Sequence, residues 1–144
     1  MSDIKRVSPQ EASELLAEGF TYVDVRTTEE FEAGHPQGAV NVPISMASGR
    51  GMVPNPDFAR VMKASFPTDA KIVVGCKAGG RSLRAAQALV AEGFTSVVDQ
   101  RAGWDGVRDP FGKLSEAGWS RVGLAAEEGQ PAGRSWADMQ AKAG

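Results

Sequence analysis

The stretch KIVVGCKAGGRSLRAAQALVAEG, residues 71–93, joins a short apolar run to a glycine-bearing, cationic loop and then to a helical pattern. The run KIVVG is short and rich in β-branched residues, which is typical of a buried strand. Residues 82–92 predict a helix that ends at Gly93. The single cysteine of the chain, Cys76, lies where the strand gives way to the loop. The stretch therefore predicts a strand–loop–helix unit with a thiol at the carboxyl end of its strand.

Helix and strand signals alternate through the first hundred residues. Ser8 with Glu11, and Thr27 with Glu30, have the spacing of a capping box, in which a hydroxyl and a carboxylate bind the first free amides of a helix. Strands are predicted at 20–25, 38–43, 71–75 and 95–100, a surface loop at 45–56, a helix opened by Asn55 and Pro56, and a terminal helix capped by Ser135. Short apolar strands separated by helices predict an α/β fold with a mainly parallel sheet and helices on both faces.

Two groups of polar residues follow strands of this predicted sheet. Ligands of open α/β sheets bind at the carboxyl ends of the strands. Asp24 and Arg26 follow one strand, and residues 76–81 follow another, so we expect both groups on the same edge. We predict that Asp24 and Arg26 support the site: the carboxylate accepts loop N–H groups or an ion pair, and the arginine shares that pairing.

The alternation weakens beyond about residue 101, where glycine, proline and other turn residues become frequent. The end of the chain, RSWADMQAKAG, again has a helical pattern. We therefore predict one domain with its core at 1–107. Residues 108–144 are predicted to be a C-terminal extension, a turn-rich segment and a terminal helix packed on the same domain.

The composition excludes several classes of protein. The chain has 144 residues, 42% of them hydrophobic and 24% charged, which suits one globular domain. Its net charge of -2 provides no broad basic surface for nucleic acid. No apolar run approaches the ~18–20 residues of a membrane span, and the polar start MSDIKRVSPQ lacks the apolar core of a secretory signal. We therefore predict a cytoplasmic protein without nucleic-acid or membrane partners.

One cysteine and one histidine restrict the chemistry. A single thiol cannot form an internal disulfide, and Cys76 with His35 is too small a set for a structural zinc site. No metal and no cofactor are predicted. His35 is expected to make a hydrogen bond at a helix end rather than to act as a general base.

The loop after Cys76 contains Lys77, Ala78, Gly79, Gly80, Arg81 and Ser82. Its two glycines permit positive φ, so that successive N–H groups can turn towards a common centre. The next helix directs its amino end at that centre, and Lys77 and Arg81 add cationic groups. These features favour a thiolate, so we predict Cys76 as the nucleophile and residues 77–82 as substrate-binding. The alternative is that Cys76 is a small buried hydrophobe beside a tight turn, but such a turn does not need the two cationic residues.

Two motifs in order resemble the rhodanese-like domain family, and specifically its single-domain sulfurtransferases. CKAGGRS (76–82) matches the family's C-x-x-G-x-R-S loop, and VDVRTTEEFEAGHPQGAVNVP (23–43) is similar to its upstream signature. IVVGCKAGGRS and GMVPNPDF look closest to small plant and bacterial rhodaneses. The resemblance covers roughly residues 8 to 107 and implies a five-stranded parallel sheet flanked by helices.

The resemblance implies transfer of a sulfane sulfur from thiosulfate or a similar donor to a thiophilic acceptor, cyanide or a thiol. The Cys76 thiolate would attack the outer sulfur of the donor, expel sulfite and hold a persulfide, which predicts ping-pong kinetics. Convergent N–H groups would stabilise the anionic sulfur, and Lys77 and Arg81 would attract the oxyanion end of the donor. Because there is no second cysteine, an external acceptor, a small thiol or a thiol protein, must remove the sulfur.

Two other functions stay open at this point. Cysteine phosphatases of the dual-specificity kind place five residues between Cys and Arg, whereas four residues separate Cys76 from Arg81. The tighter loop suits a sulfur atom better than the tetrahedral phosphate or arsenate of a phosphatase or arsenate reductase. The non-enzymatic alternative is a rhodanese-like regulatory or persulfide-relay module, against which the complete cationic loop argues. A reactive thiol is also readily oxidised, so a sensor role belongs with this alternative.

Overall fold

The computed structural model describes residues 4–49 and 51–144. The strands are β1 (Lys5–Val7), β2 (Thr21–Asp24), β3 (His35–Pro36), β4 (Val40–Asn41), β5 (Ser45–Ser48), β6 (Gly51–Pro54), β7 (Lys71–Gly75), β8 (Ser96–Gln100), β9 (Gly106–Arg108), β10 (Leu114–Ala117) and β11 (Ala126–Glu127). The helices are α1 (Pro9–Ala17), α2 (Thr28–Ala33), α3 (Phe58–Ser65), α4 (Gly80–Ala91) and α5 (Trp136–Ala143), with a short 3-10 helix at Trp119–Arg121.

Five parallel strands form the central sheet in the order β1-β8-β7-β2-β4. In the middle of the sheet Val74 pairs with Val23 on one side and with Asp99 on the other. Parallel neighbours need crossover connections, which the helices between the strands provide. The predicted α/β fold with a five-stranded parallel sheet is therefore confirmed.

The sheet separates two apolar layers. Val23 and Val74 face the layer that contains buried side chains of α3, α4 and α5. Tyr22 and Val73, their neighbours along the strands, face the layer that contains α1, Phe31 of α2 and Trp119. Successive strand residues point to opposite faces, so strands buried on both sides are apolar throughout. Helices therefore cover both faces, as predicted.

Both predicted capping boxes are present. Ser8 Oγ accepts a hydrogen bond from Glu11 N at 3.0 Å, and the Glu11 carboxylate accepts one from Ser8 N at 2.9 Å. Thr27 Oγ1 accepts from Glu30 N at 3.2 Å, and the Glu30 carboxylate accepts from Thr27 N at 3.1 Å. These contacts satisfy amides that have no partner inside the helix, and they begin α1 and α2 at the expected residues.

Some elements differ from the sequence predictions. Residues 45–56, predicted as a surface loop, contain the antiparallel hairpin of β5 and β6. Helix α3 begins at Phe58 rather than at Asn55, because the Asn55 side chain binds Pro43 O and Asp57 N and shapes a turn before the helix. Strand β1 was not predicted, because two of its three residues, Lys5 and Arg6, are charged. It forms because its backbone pairs with β8, far along the chain, and Val7 is buried in the core.

The C-terminal residues run across the β4 edge of the sheet. Strand β11 pairs with β3, and Arg134 O accepts a hydrogen bond from Asn41 N in β4 at 2.8 Å. Helix α5 packs on α3, and Ser135 Oγ caps it by accepting from Asp138 N at 3.2 Å. The predicted terminal helix and its cap are thus present. Among residues 4–49 and 51–144, no helix combines the length and apolarity that crossing a membrane requires.

Candidate active site

Cys76 lies directly after the central strand β7 and is almost fully buried, with 2% of its surface exposed. The segment after β8 holds the backbone at this point. Trp104 N donates to Cys76 O at 2.7 Å, and Asp105 N donates to Lys77 O at 3.0 Å. The first residues of the loop are therefore held in two ways: they continue from β7, and they bind the segment that follows β8.

Two groups of the loop contact the Cys76 sulfur. Gly79 N donates a hydrogen bond to Sγ at 3.0 Å, and Ser82 Oγ lies 3.4 Å from Sγ. Gly79 has a φ of +97°, and a Cβ at this position would overlap Arg101 O. Several N–H groups were expected to converge on the thiol; among the described residues, the hydrogen-bonded amide is that of Gly79. The loop therefore turns back on the sulfur at a residue that must be glycine.

Arg81 is bound to a carboxylate that the sequence did not connect with it. Its Nη1 donates to Glu30 Oε1 at 2.7 Å, and its Nη2 donates to Glu30 Oε2 at 3.0 Å. Burial acts to raise the pKa of Glu30, but the hydrogen bonds from Arg81 and Thr27 outweigh it and lower that pKa to about 2. Arg81 thus anchors the first turn of α4 to α2, and much of its charge is neutralised.

Lys77, Ala78 and Gly80 form the exposed side of the loop, whereas Gly79 and Ser82 are buried. The Lys77 ammonium makes no hydrogen bond with residues 4–49 and 51–144. Its charge acts at longer range on Asp105, where it helps to lower the pKa of that carboxyl. Lys77 is therefore the loop cation with the most freedom to meet an anion from solvent.

Asp24 and Arg26 form a buried ion pair beside the loop. Arg26 Nε and Nη2 donate to the two carboxylate oxygens of Asp24, at 3.0 and 2.7 Å. Arg26 Nη2 also binds Gly34 O at 2.5 Å, and the guanidinium lies 5.2 Å from the centre of the Trp104 ring. The Asn41 amide donates to Asp24 O at 2.9 Å and to Arg26 O at 3.0 Å. The pair is fully engaged in holding the ends of β2 and α2.

His35 lies away from the thiol contacts. Its Nδ1 is 2.6 Å from Phe31 O at the end of α2, and its ring stacks on that of Phe31 at 3.6 Å between centroids. Its Nε2 is 3.3 Å from Glu127 Oε1. The helix-end hydrogen bond is the contact that the sequence predicted. In this arrangement the ring nitrogens lie against Phe31 and Glu127.

Two charged residues near the loop were missed by sequence reasoning. Asp99 of β8 is fully buried, and its Oδ2 accepts from Arg6 Nε at 2.7 Å. Arg6 Nη2 also donates to Gly79 O at 3.2 Å, so the pair touches the loop. The sequence feature that pointed to Asp99 was its position near the end of the apolar run TSVVDQ, at the edge of the sheet where Cys76 lies. No sequence feature pointed to Arg6, because the strand that positions it, β1, was itself not predicted.

An open cleft of about 450 Å³ adjoins the outer side of the loop. It is lined by Arg6, Ala78, Gly79, Gly80, Leu83, Arg101, Val107, Ser115 and Glu116. Arg101 is paired with Glu116 through two hydrogen bonds of 2.9 Å, so the cleft has no strong excess of either charge. In the described part of the chain, no three His, Cys, Asp or Glu side chains come together as a metal site.

Comparison with known proteins agrees with the fold. The family model of the rhodanese-like domain matches residues 8–109. Thiosulfate sulfurtransferase 16, chloroplastic, of Arabidopsis thaliana is 45% identical over 98 residues, covering 68% of this chain and 82% of that protein. Thiosulfate sulfurtransferase GlpE of Pseudomonas entomophila is 34% identical over 105 residues, covering 73% and 85%. The crystal structure of Rv0390 from M. tuberculosis superposes with a TM-score of 0.74 at 26% identity, covering 89% of this chain and all of that one.

The chain belongs to the rhodanese-like domain family, and its relatives include proteins named as thiosulfate sulfurtransferases at 34% to 45% identity. The resemblance of the two sequence motifs is thereby confirmed. The chain spans about half the length, 51%, of two other relatives, the senescence-associated protein DIN1 of Raphanus sativus and Rhodanese-like domain-containing protein 15, chloroplastic, of Arabidopsis thaliana.

The prediction of a cytoplasmic protein is contradicted by the names of these relatives. Two of them, 45% and 42% identical, are named as chloroplastic. Another relative, Protein HIGH ARSENIC CONTENT 1 of Arabidopsis thaliana, is 36% identical and is named as mitochondrial. These names assign those relatives to organelles rather than to the cytoplasm. A polar amino terminus without a secretory signal was too weak a basis for choosing a compartment.

Proposed function

We propose that this protein is a sulfurtransferase that moves a sulfane sulfur from thiosulfate, or a similar donor, to a thiophilic acceptor through a persulfide on Cys76. The observation that carries the proposal is the loop geometry around one sulfur atom: Gly79 N at 3.0 Å and Ser82 Oγ at 3.4 Å from Sγ. Family membership and the thiosulfate sulfurtransferases among the relatives support the same reaction.

The first half-reaction loads the enzyme with sulfur. The Cys76 thiolate attacks the outer sulfur of thiosulfate; the new S–S bond forms as the donor's own S–S bond breaks, and the electron pair leaves on sulfite. The product is an anionic persulfide. The Gly79 N–H and the Ser82 hydroxyl, which contact Sγ in the resting loop, are in place to stabilise negative charge on sulfur.

The second half-reaction removes the sulfur. Cyanide or a thiol attacks the outer persulfide sulfur, and the electron pair of the S–S bond returns to Cys76 as the thiolate. A protein that carries a reactive thiol can act as the acceptor in the same way as a small thiol. Because the donor leaves as sulfite before the acceptor reacts, the steady-state kinetics are expected to be ping-pong.

The two loop cations have different tasks in this scheme. Arg81 is held by Glu30 in a two-point contact, so it fixes the loop to α2 more than it attracts a donor. Lys77 is exposed at the loop and meets the sulfonate end of thiosulfate. Cys76 is 2% exposed, which suits a small anionic donor better than a phosphorylated protein side chain.

The experiment compares wild type with Cys76→Ser in a thiosulfate:cyanide assay, with p-nitrophenyl phosphate hydrolysis in parallel. Wild type should form thiocyanate and leave the phosphate ester intact, and Cys76→Ser should be inactive yet folded by circular dichroism. After thiosulfate treatment, wild type alone should gain about 32 Da, one sulfur atom, on the Cys76 peptide. Thiocyanate formation by Cys76→Ser, or phosphatase activity without sulfur transfer, would contradict the proposal.

A further inference from the structure

Arg6 ties the middle of the Cys76 loop to the central sheet. Its Nη2 donates to Gly79 O at 3.2 Å, and its Nε donates to Asp99 Oδ2 at 2.7 Å. Arg6 and Asp99 are register partners in the neighbouring strands β1 and β8. A guanidinium presents several N–H donors in one rigid plane, so a single side chain can make both contacts at once. Gly79 is thereby connected to β8.

The backbone of Gly79 links Arg6 to the sulfur atom. Gly79 N donates to Cys76 Sγ at 3.0 Å, while Gly79 O accepts from Arg6 Nη2. The fit is close, because a Cβ on Gly79 would lie 2.9 Å from that Nη2. A movement of Gly79 away from Arg6 would therefore change its contact with the sulfur as well.

The two ends of the loop are held by other contacts. At the start, Cys76 O and Lys77 O accept hydrogen bonds from the segment that follows β8. At the end, Arg81 binds Glu30 of α2 through two hydrogen bonds. Neither set of contacts acts on the residue whose amide binds Sγ. The middle of the loop thus needs an anchor of its own.

Arg6 differs from the other partners of the Gly79 carbonyl. Gly79 O also accepts from Ser82 Oγ and from Leu83 N, both at 3.3 Å. Ser82 and Leu83 belong to α4, the helix that Gly79 caps, so these contacts move together with the loop. In the described part of the chain, the Arg6 contact is the one that joins this carbonyl to another element.

We propose that Arg6 is a positioning residue for sulfur transfer, which holds the Gly79 amide within hydrogen-bonding reach of Cys76 Sγ. Asp99 has no exposed surface, and it fixes the guanidinium of Arg6, whose side chain is 39% exposed. A donor that is already in place stabilises negative charge on sulfur without rearrangement during the reaction. The inference rests on the proposed role of Cys76 as the nucleophile and names a residue outside the loop that prepares it.

The first test is the turnover of Arg6→Ala in the thiosulfate:cyanide assay. The turnover number should fall by about tenfold to a hundredfold, since a displacement of about 1 Å can cost about a hundredfold. The KM for thiosulfate should change little. If Arg6 merely attracted the anionic donor, KM would rise while the turnover number stayed the same. That pattern, or unchanged kinetics, would overturn the proposal.

Chemical rescue separates positioning from a general loss of structure. Arg6 lines the open cleft of about 450 Å³ together with Gly79, so a small cation can enter the place of the removed side chain. Methylguanidinium, used well below denaturing concentrations, should restore part of the turnover of Arg6→Ala. Methylammonium at the same ionic strength is the control, because it lacks the planar set of donors. Equal effects of the two cations would contradict the proposal.

Two further variants guard against misfolding. Arg6→Ala leaves the buried Asp99 carboxylate without its partner and should therefore lose stability. Arg6→Lys keeps a cation beside Asp99 but lacks a second arm for Gly79 O. It should melt close to wild type and still lose turnover; wild-type turnover in Arg6→Lys would overturn the proposal.

Arg101→Ala is the matched control for the loss of a cation. Arg101 lines the same cleft and is also 39% exposed, but its guanidinium binds Glu116. Arg101→Ala should keep the wild-type turnover number. A loss equal to that of Arg6→Ala would show that any cation of the cleft serves, which contradicts a specific contact with Gly79.

The position of Gly79 can also be followed without any sulfur transfer. In a ¹H–¹⁵N spectrum of the full chain without donor, the Gly79 amide signal should shift in Arg6→Ala and return towards its wild-type position with methylguanidinium. An unchanged Gly79 signal would overturn the proposal. Because this measurement needs no turnover, a wild type that fails the thiosulfate assay contradicts the proposed function and leaves this test intact.

Discussion

Arg81 and Glu30 join the amino-terminal turns of α4 and α2 through two hydrogen bonds, Nη1 to Oε1 at 2.7 Å and Nη2 to Oε2 at 3.0 Å. Glu30 also closes the capping box of α2 by accepting from Thr27 N at 3.1 Å. One carboxylate therefore holds the start of α2 and, through Arg81, the helix that follows the Cys76 loop. The conformation of that loop depends on an element outside it.

The first prediction concerns the removal of this link. Glu30→Gln should lower the free energy of unfolding by about 1.5–3 kcal/mol, the range for hydrogen bonds to charged groups. It should also reduce the turnover number for thiosulfate, because Arg81 no longer fixes the loop. Urea denaturation and the thiosulfate:cyanide assay measure the two effects.

Glu92→Gln is the matched control for this change. Glu92 binds Lys63 at 3.1 Å, but the two side chains are 39% and 53% exposed, and exposed pairs contribute about 0–1 kcal/mol. Its removal should leave turnover unchanged. Equal effects of Glu30→Gln and Glu92→Gln on stability and turnover would show that the link does not hold the loop.

The second prediction is a loss of stability in acid that depends on Glu30. Although burial opposes it, hydrogen bonding from Arg81 lowers the pKa of Glu30 from 4.5 to about 2 in the folded protein. A lowered folded-state pKa stabilises the protein above the ordinary value, and this contribution disappears as pH falls. The stability difference between wild type and Glu30→Gln should be constant above about pH 4.5 and shrink towards pH 2. Urea denaturation across this range measures it, and a difference independent of pH would contradict it.

Local sequence signals were sufficient where structure depends on residues close in the chain. The capping boxes at Ser8 and Thr27 are decided by a glutamate three positions later, and both are present. The strand at 71–75 and the cysteine that follows it were likewise predicted, because a short apolar run ending in a glycine-bearing loop is specified by adjacent residues. These features cover the central strand, its loop and the start of two helices.

Features that depend on distant residues were not predictable in this way. Arg81 was expected to attract an anionic donor, but its partner Glu30 lies 51 residues away and stood out only as a capping residue. Strand β1 has no apolar pattern and exists through its pairing with β8. The contact of Arg6 with Asp99 follows from the pairing of β1 with β8, so it could not be predicted without that pairing.

The third prediction concerns Gly75, the residue before Cys76. Gly75 ends β7, and a Cβ added there would overlap the hydroxyl of buried Tyr22. Gly75→Ala should therefore lower the free energy of unfolding by about 1–3 kcal/mol or more, as overpacked cores do. Gly49→Ala is the control, because a Cβ there meets nothing within 4 Å. Thermal unfolding compares the two, and equal melting temperatures would contradict the clash.

The fourth prediction separates backbone strain from the shape of the loop. Gly79 and Gly19 have similar positive φ values, +97° and +105°, so alanine strains the backbone at both positions by about 1–2 kcal/mol. A Cβ on Gly79 would in addition overlap Arg101 O, whereas a Cβ on Gly19 meets nothing within 4 Å. Gly79→Ala must therefore move the amide that binds Cys76 Sγ.

We expect Gly19→Ala to lose stability but to keep its sulfur-transfer rate. Gly79→Ala should lose both, with turnover reduced by about a hundredfold to a thousandfold, the range for removing a donor that stabilises developing charge. The assay is run well below the melting temperature of each variant, so that unfolding does not enter the rate. If Gly79→Ala retained wild-type turnover, the Gly79 amide would have no part in stabilising the anionic sulfur. The loop geometry would then no longer support the proposed function.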